Sequence, residues 1–90
     1  MAIEVHIPTV LRPLAEGNRT VAGSGGTIDE LIDVLESRFP GMGKRLRIDG
    51  EVPRYMNIYV NDADIRFDRA LSTPLRDGDV VSILPAVAGG

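Results

Sequence analysis

The chain has 90 residues, 43% of them apolar and 26% charged, with no cysteine and a formal net charge of −3. That length holds one domain and one hydrophobic core, which excludes an enzyme with a cleft between two lobes. The absence of cysteine excludes disulfides, thiolate metal sites and cysteine nucleophiles, and 13 acidic against 10 basic side chains leave no positive surplus for a nucleic-acid partner.

Ile3-Glu4-Val5-His6-Ile7 alternates strictly between apolar and polar, which predicts a half-buried strand. The same opening lacks the basic region and long apolar run of a secretion signal. No later run approaches the roughly 18 residues of a membrane span, so a cytoplasmic protein without a membrane partner is expected. Pro8 and Pro13 bracket a long loop with Gly17-Asn18 near its end, and Arg19-Thr20-Val21-Ala22 is a second β-favouring run that returns beside the first.

Gly23-Ser24-Gly25-Gly26 interrupts the pattern. Thr27 three residues ahead of Glu30 is the reciprocal capping arrangement that opens a helix. Ile28, Leu31, Ile32, Leu35 and Phe39 then recur at spacings of three and four while Asp29, Glu30, Asp33 and Glu36 face away, until Pro40-Gly41 ends the helix. Met42 to Arg54 sustains neither period and is expected to be a mobile connection with one helical turn near Lys44 to Leu46.

Tyr55 to Asn61 alternates again, and Asn61-Asp62-Ala63-Asp64 is turn chemistry leading to Ile65-Arg66-Phe67, the second arm of an expected hairpin. Leu71 to Leu75, with Pro74, predicts a short irregular turn and Asp77-Gly78-Asp79 a tight one. Val80 to Leu84, apolar on both alternations, predicts a final and central strand. The order is ββαβββ or ββαββ, and the one amphipathic helix must cover a sheet face, giving an α+β fold with the first and last strands side by side in a mixed sheet.

Few side chains converge on chemistry. His6 is the sole histidine and reads as a solvated strand residue, because a ligand or base needs further convergent groups. Gly23 to Gly26 lacks the third glycine of a dinucleotide fingerprint, and Gly43-Lys44-Arg45 lacks the spacing and hydroxyl of a phosphate loop. The pairs Asp62/Asp64 and Asp77/Asp79 sit in turns, where aspartate bonds its own backbone. Neither a catalytic nor a metal residue is assigned. Lys44, Arg45, Arg47 and Arg54 read either as a solvated face or as a dock for an acidic partner.

The carboxyl end differs. Pro85 is followed by Ala86, Val87, Ala88, Gly89 and Gly90, with no charge, hydroxyl or bulky side chain. We therefore divide the chain into a domain over 1–85 and a flexible tail over 86–90. A five-residue tail reaches up to roughly 17 Å, and glycine passes a channel too narrow for a side chain, so Pro85 to Gly89 are the candidate recognition segment and Gly90 the candidate reacting residue. Its carboxylate is a poor electrophile until a partner with ATP converts one oxygen into a leaving group. Large side chains on the sheet face away from the helix mark a partner surface, which nominates Tyr59 and Leu84.

Val60-Asn61, Leu75 to Val81 and Pro85 to Gly90 resemble the ubiquitin-like sulfur-carrier proteins of the MoaD and ThiS type, nearest the branch that serves cysteine biosynthesis through Ile7 to Pro13, Asn57 to Asp62 and Ile83 to Gly90. The resemblance spans the chain and is loosest in the helix and in Met42 to Arg54. It implies a β-grasp fold, with a mixed sheet of four to five strands on one main helix. It also implies that Gly90 is adenylated by a partner related to ubiquitin-activating enzymes, with ATP used by that partner and no cofactor held by the carrier, then converted to a thiocarboxylate. The carrier is then a sulfur donor and not an enzyme. The acceptors it implies are a cysteine synthase, with a metallopeptidase releasing the product, or a thiosugar or thiazole synthase. Two competing readings are the small subunit of a molybdopterin synthase and a modifier that joins Gly90 to a target lysine.

Overall fold

The computed structural model describes residues 2–86. Alternation in the opening run yields strand β1 (Ile3–His6), with Ile3 and Val5 buried and Glu4 and His6 exposed. It pairs antiparallel with β2 (Thr20–Gly23), from Ile3 opposite Gly23 to His6 opposite Thr20. The loop between them is more ordered than the sequence suggests: Thr9–Ala15 forms a 3₁₀ helix that buries Leu11 and Ala15, and Glu16 and Gly17 in the left-handed region turn the chain back.

Gly23 belongs to β2 rather than to the break after it. A Cβ there would overlap Leu31 Cδ1, so the bare backbone leaves room for the Leu31 side chain. That helix, α1 (Ile28–Arg38), starts as its capping residues require: Thr27 Oγ1 accepts from the Glu30 N–H at 3.2 Å, and Glu30 Oε1 accepts from the Gly26 N–H at 2.7 Å. Ile28, Leu31, Ile32 and Leu35 are buried against the sheet.

The helical turn expected near Lys44 to Leu46 is present, but it is built into the core where a mobile connection was expected. Met42–Leu46 is a short helix, α2, whose Met42 and Leu46 have no exposed surface. Glu36 of α1 holds its start by accepting from the Gly41 N–H at 3.1 Å and the Gly43 N–H at 2.8 Å. Arg47, just beyond, reaches back to Asp29 at 2.6 Å and Asp33 at 2.7 Å. One member of the expected basic cluster is thereby turned onto the helix, and these two carboxylates raise its pKa above the ordinary arginine value, Asp33 most.

Strand β3 (Met56–Val60) follows, then Asn61 and Asp62, both at positive φ, make the two-residue turn into β4 (Ala63–Asp64). Ile65–Phe67 is not the strand arm expected from its β-favouring side chains. The Asp64 carboxylate accepts from the Arg66 N–H at 2.8 Å, which caps a 3₁₀ turn there instead. A second such turn covers Ala70–Ser72, and β5 (Val80–Pro85) closes the fold.

The sheet order is β2-β1-β5-β3-β4. β5 lies parallel to β1 and antiparallel to β3, so first and last strands do meet at the centre, and the order is the ββαβββ alternative with five strands. One face carries α1, α2 and the core of Ile3, Val5, Ile58, Val81 and Ile83. The other is open.

Candidate functional site

The open face is crossed by one row of side chains. Thr20 stands opposite His6, His6 opposite Ser82, Ser82 opposite Tyr59 and Tyr59 opposite Asp64. His6 Nε2 is 2.5 Å from Glu4 Oε2, both exposed, which is the solvated strand position expected of it. Leu84, opposite Asn57, is 49% exposed, and Tyr59 is half-buried. Both expected docking residues thus share the face opposite the helix, while Met56 and Ile58 point into the core. Val60, next after Ile58 on that alternation, is partly buried and packs against the core.

The base of the carboxyl tail lies at one end of this face. Pro85 stands opposite Met56, and the Ala86 N–H donates to the Tyr55 carbonyl at 2.8 Å. The paired segment therefore runs through Ala86, one residue past the boundary read from the sequence. The bonds from Ala86 to Tyr55 and from Asn61 to Val80 fix the alternation of the ladder, so Pro85 falls where an N–H would face away from β3. The last residue of β1 paired with β5 is His6, opposite Ser82. Proline costs no ladder bond there. Val87, Ala88, Gly89 and Gly90 lie outside the described residues.

The aspartate pairs behave as turn residues. Asp79 accepts from the Arg76 N–H at 2.8 Å and from Asn61 Nδ2 at 2.9 Å, and the Arg76 bond, then the Asn61 bond, hold its carboxyl below the usual carboxylate range. Asp77 accepts from the Ala2 N–H at 2.7 Å. These carboxylates fasten the turn before β5 to the ends of β1 and β3.

Three residues escaped the sequence reading. Tyr55 is 52% exposed and Phe67 91%. Read as a strand, Ile65 and Phe67 share a face; in the 3₁₀ turn they diverge by about two-thirds of a revolution, so Ile65 enters the core and Phe67 faces solvent. The third is Arg66. Its guanidinium donates to Asn57 Oδ1, to the Met56 carbonyl at 2.7 Å and to the Pro53 carbonyl at 3.3 Å. No local pattern announces contacts across nine to thirteen positions.

No described helix is long and apolar enough to cross a membrane. The profile of the ThiS family matches residues 5–90. Among curated proteins the chain is 47% identical to the sulfur carrier protein CysO of Mycobacterium tuberculosis over 93 aligned positions, covering all of both chains. It is 38% identical to small archaeal modifier protein 3 of Haloferax volcanii over 64 positions, 71% of this chain and 70% of that one. Among solved structures, the Amycolatopsis orientalis BexX/CysO complex contains a chain that superposes with a TM-score of 0.93 at 46% identity, covering 99% of this chain and 100% of that one.

Proposed function

The chain belongs to the ThiS family and is a sulfur carrier, and on that premise we propose that Gly90 is the residue that bears the sulfur. The observation that supports this most directly is that the family match runs through Gly90. In the proposed reaction a partner enzyme lets the Gly90 carboxylate attack the α-phosphorus of ATP, releasing pyrophosphate and leaving an acyl adenylate. A sulfur nucleophile then attacks the carbonyl carbon and AMP departs, so the carboxylate becomes a thiocarboxylate. The carrier contributes the reacting terminus, the thread from Pro85 to Gly89 and the docking face of Tyr59 and Leu84. Catalysis and ATP binding belong to its partners.

The Amycolatopsis relative is found in complex with BexX, which supports a protein partner docking on a carrier of this kind. Sulfur then passes to an acceptor enzyme, a cysteine synthase or the synthase of another sulfur-containing metabolite. The kinship to a small archaeal modifier favours a second reading, in which a lysine amine attacks the same adenylate and an isopeptide bond results.

Substitution at Gly89 tests the thread. Supplied already thiocarboxylated, the Gly89→Val carrier should transfer sulfur to an acceptor far more slowly than the parent, because a branched side chain blocks a channel fitted to bare backbone. Equal rates would contradict recognition through the tail.

A further inference from the structure

We infer that Arg66 is a positioning residue for the reaction at Gly90, acting by holding the strand edge on which Ala86 is bonded. This rests on the proposed role of Gly90 and adds to it.

The argument starts from an accounting of backbone bonds. Tyr55 and Ala86 are a bonded pair of the antiparallel ladder, as are Asn61 and Val80, so by alternation Met56 directs its N–H and carbonyl away from β5. On that side the neighbouring strand is too short to help. β4 is only Ala63–Asp64 and reaches Tyr59 and Val60, leaving the start of β3 without a strand beside it. The Met56 N–H is taken by the Pro53 carbonyl at 3.1 Å in a tight turn.

The Met56 carbonyl is taken by Arg66 Nη2 at 2.7 Å, and the same nitrogen reaches the Pro53 carbonyl at 3.3 Å, while Nη1 meets Asn57 Oδ1 and lies 3.8 Å from Asp64 Oδ2. A planar fork with several donors thus stands in for the missing strand. The Arg66 backbone is itself fixed by the Asp64 cap at 2.8 Å.

What this fork holds is the acceptor of the tail. Tyr55 lies between Pro53 and Met56, outside any strand, and its carbonyl is the last described partner of β5, through Ala86. Asn57, gripped by Nη1, stands opposite Leu84, and Met56 stands opposite Pro85. Arg66 therefore fastens the three residues, Tyr55 to Asn57, that face Leu84, Pro85 and Ala86. Reaction at Gly90 depends on placement of the segment it belongs to, and a fixed Ala86 is one constraint on that placement that the free carrier already supplies.

Arg66→Met keeps the apolar stem and removes every donor, and Arg66→Lys keeps the charge but not the fork. Amide hydrogen exchange on the free carrier should show the Ala86 amide losing protection by about tenfold or more in both variants, with Val5 and Ile83 amides unchanged. With an adenylate-forming partner, pyrophosphate exchange should show kcat falling by about tenfold with KM nearly unchanged, because the docking face remains while productive placement of the end is lost. Unchanged Ala86 protection, or equal loss at Val5 and Ile83, would overturn the inference, as would restoration of kcat by Arg66→Lys. A parent carrier that supports no pyrophosphate exchange would instead sink the proposed function, and amide exchange alone would then decide the role of Arg66.

Discussion

At the scale of single residues, Asp79 shows how a turn carboxylate contributes without being a site. Its carboxyl is held below the ordinary range by the Arg76 N–H and Asn61, so the stability it adds is full above the unfolded-state value of about 3.9 and is lost as pH falls through the lower folded value. Urea unfolding of Asp79→Asn against the parent should show a deficit at pH 7 that closes in strong acid; a pH-independent deficit would mean that the charge is not what matters. Leu84 belongs to the same scale. Half-exposed on the open face, it is an anchor of the kind that concentrates binding energy, so Leu84→Asp should raise the dissociation constant for the activating partner at least tenfold, about 1.4 kcal/mol. Titration calorimetry with the fold verified by circular dichroism measures it, and unchanged affinity would place docking elsewhere.

At the scale of elements, the helix, the central strand and the first hairpin were legible because each depends on local patterns: the Thr27 and Glu30 caps with the stripe from Ile28 to Phe39, the apolar run Val80 to Leu84, and the alternation of Ile3 to Ile7 followed by the β-favouring Arg19 to Ala22. What escaped depends on particular side-chain contacts that composition and periodicity do not carry. The helical turn expected near Lys44 to Leu46 is present as Met42–Leu46; what escaped is its fixation by Glu36 and by burial of Met42 and Leu46, which a five-residue helix is too short to signal by periodicity. Ile65–Phe67 has the composition of a strand, and the Asp64 cap overrides it. Two substitutions test these contacts. Glu36→Ala strands the Gly41 and Gly43 amides and should cost about 1–3 kcal/mol in chemical denaturation, whereas an exposed glutamate at an unimportant helix position would cost almost nothing. Gly23→Ala places a methyl carbon in the space of Leu31 and should cost about 1–3 kcal/mol; a neutral result would mean that the helix shifts freely on the sheet.

At the scale of the whole molecule, the fold brings its first and last strands together at the centre of the sheet, and the last described residue, Ala86, is bonded to Tyr55 at the end of the open face. The run from Pro85 to Gly90 stands out in the sequence because a bare, uncharged run is a compositional signal. The support at its base does not, since Arg66 and Tyr55 meet the tail base only through tertiary pairing. Removing Gly89 and Gly90 should abolish loading while leaving the unfolding midpoint nearly unchanged, because the described core is complete by Ile83. The central claim is that Gly90 carries the sulfur, and it is tested most directly by the intact mass of the carrier after incubation with its activating enzyme, ATP and a sulfide source. The account predicts a gain equal to exchange of one oxygen for sulfur, localised to Gly90 by fragmentation and absent without ATP; an unchanged mass under conditions where the partner forms the adenylate would contradict it.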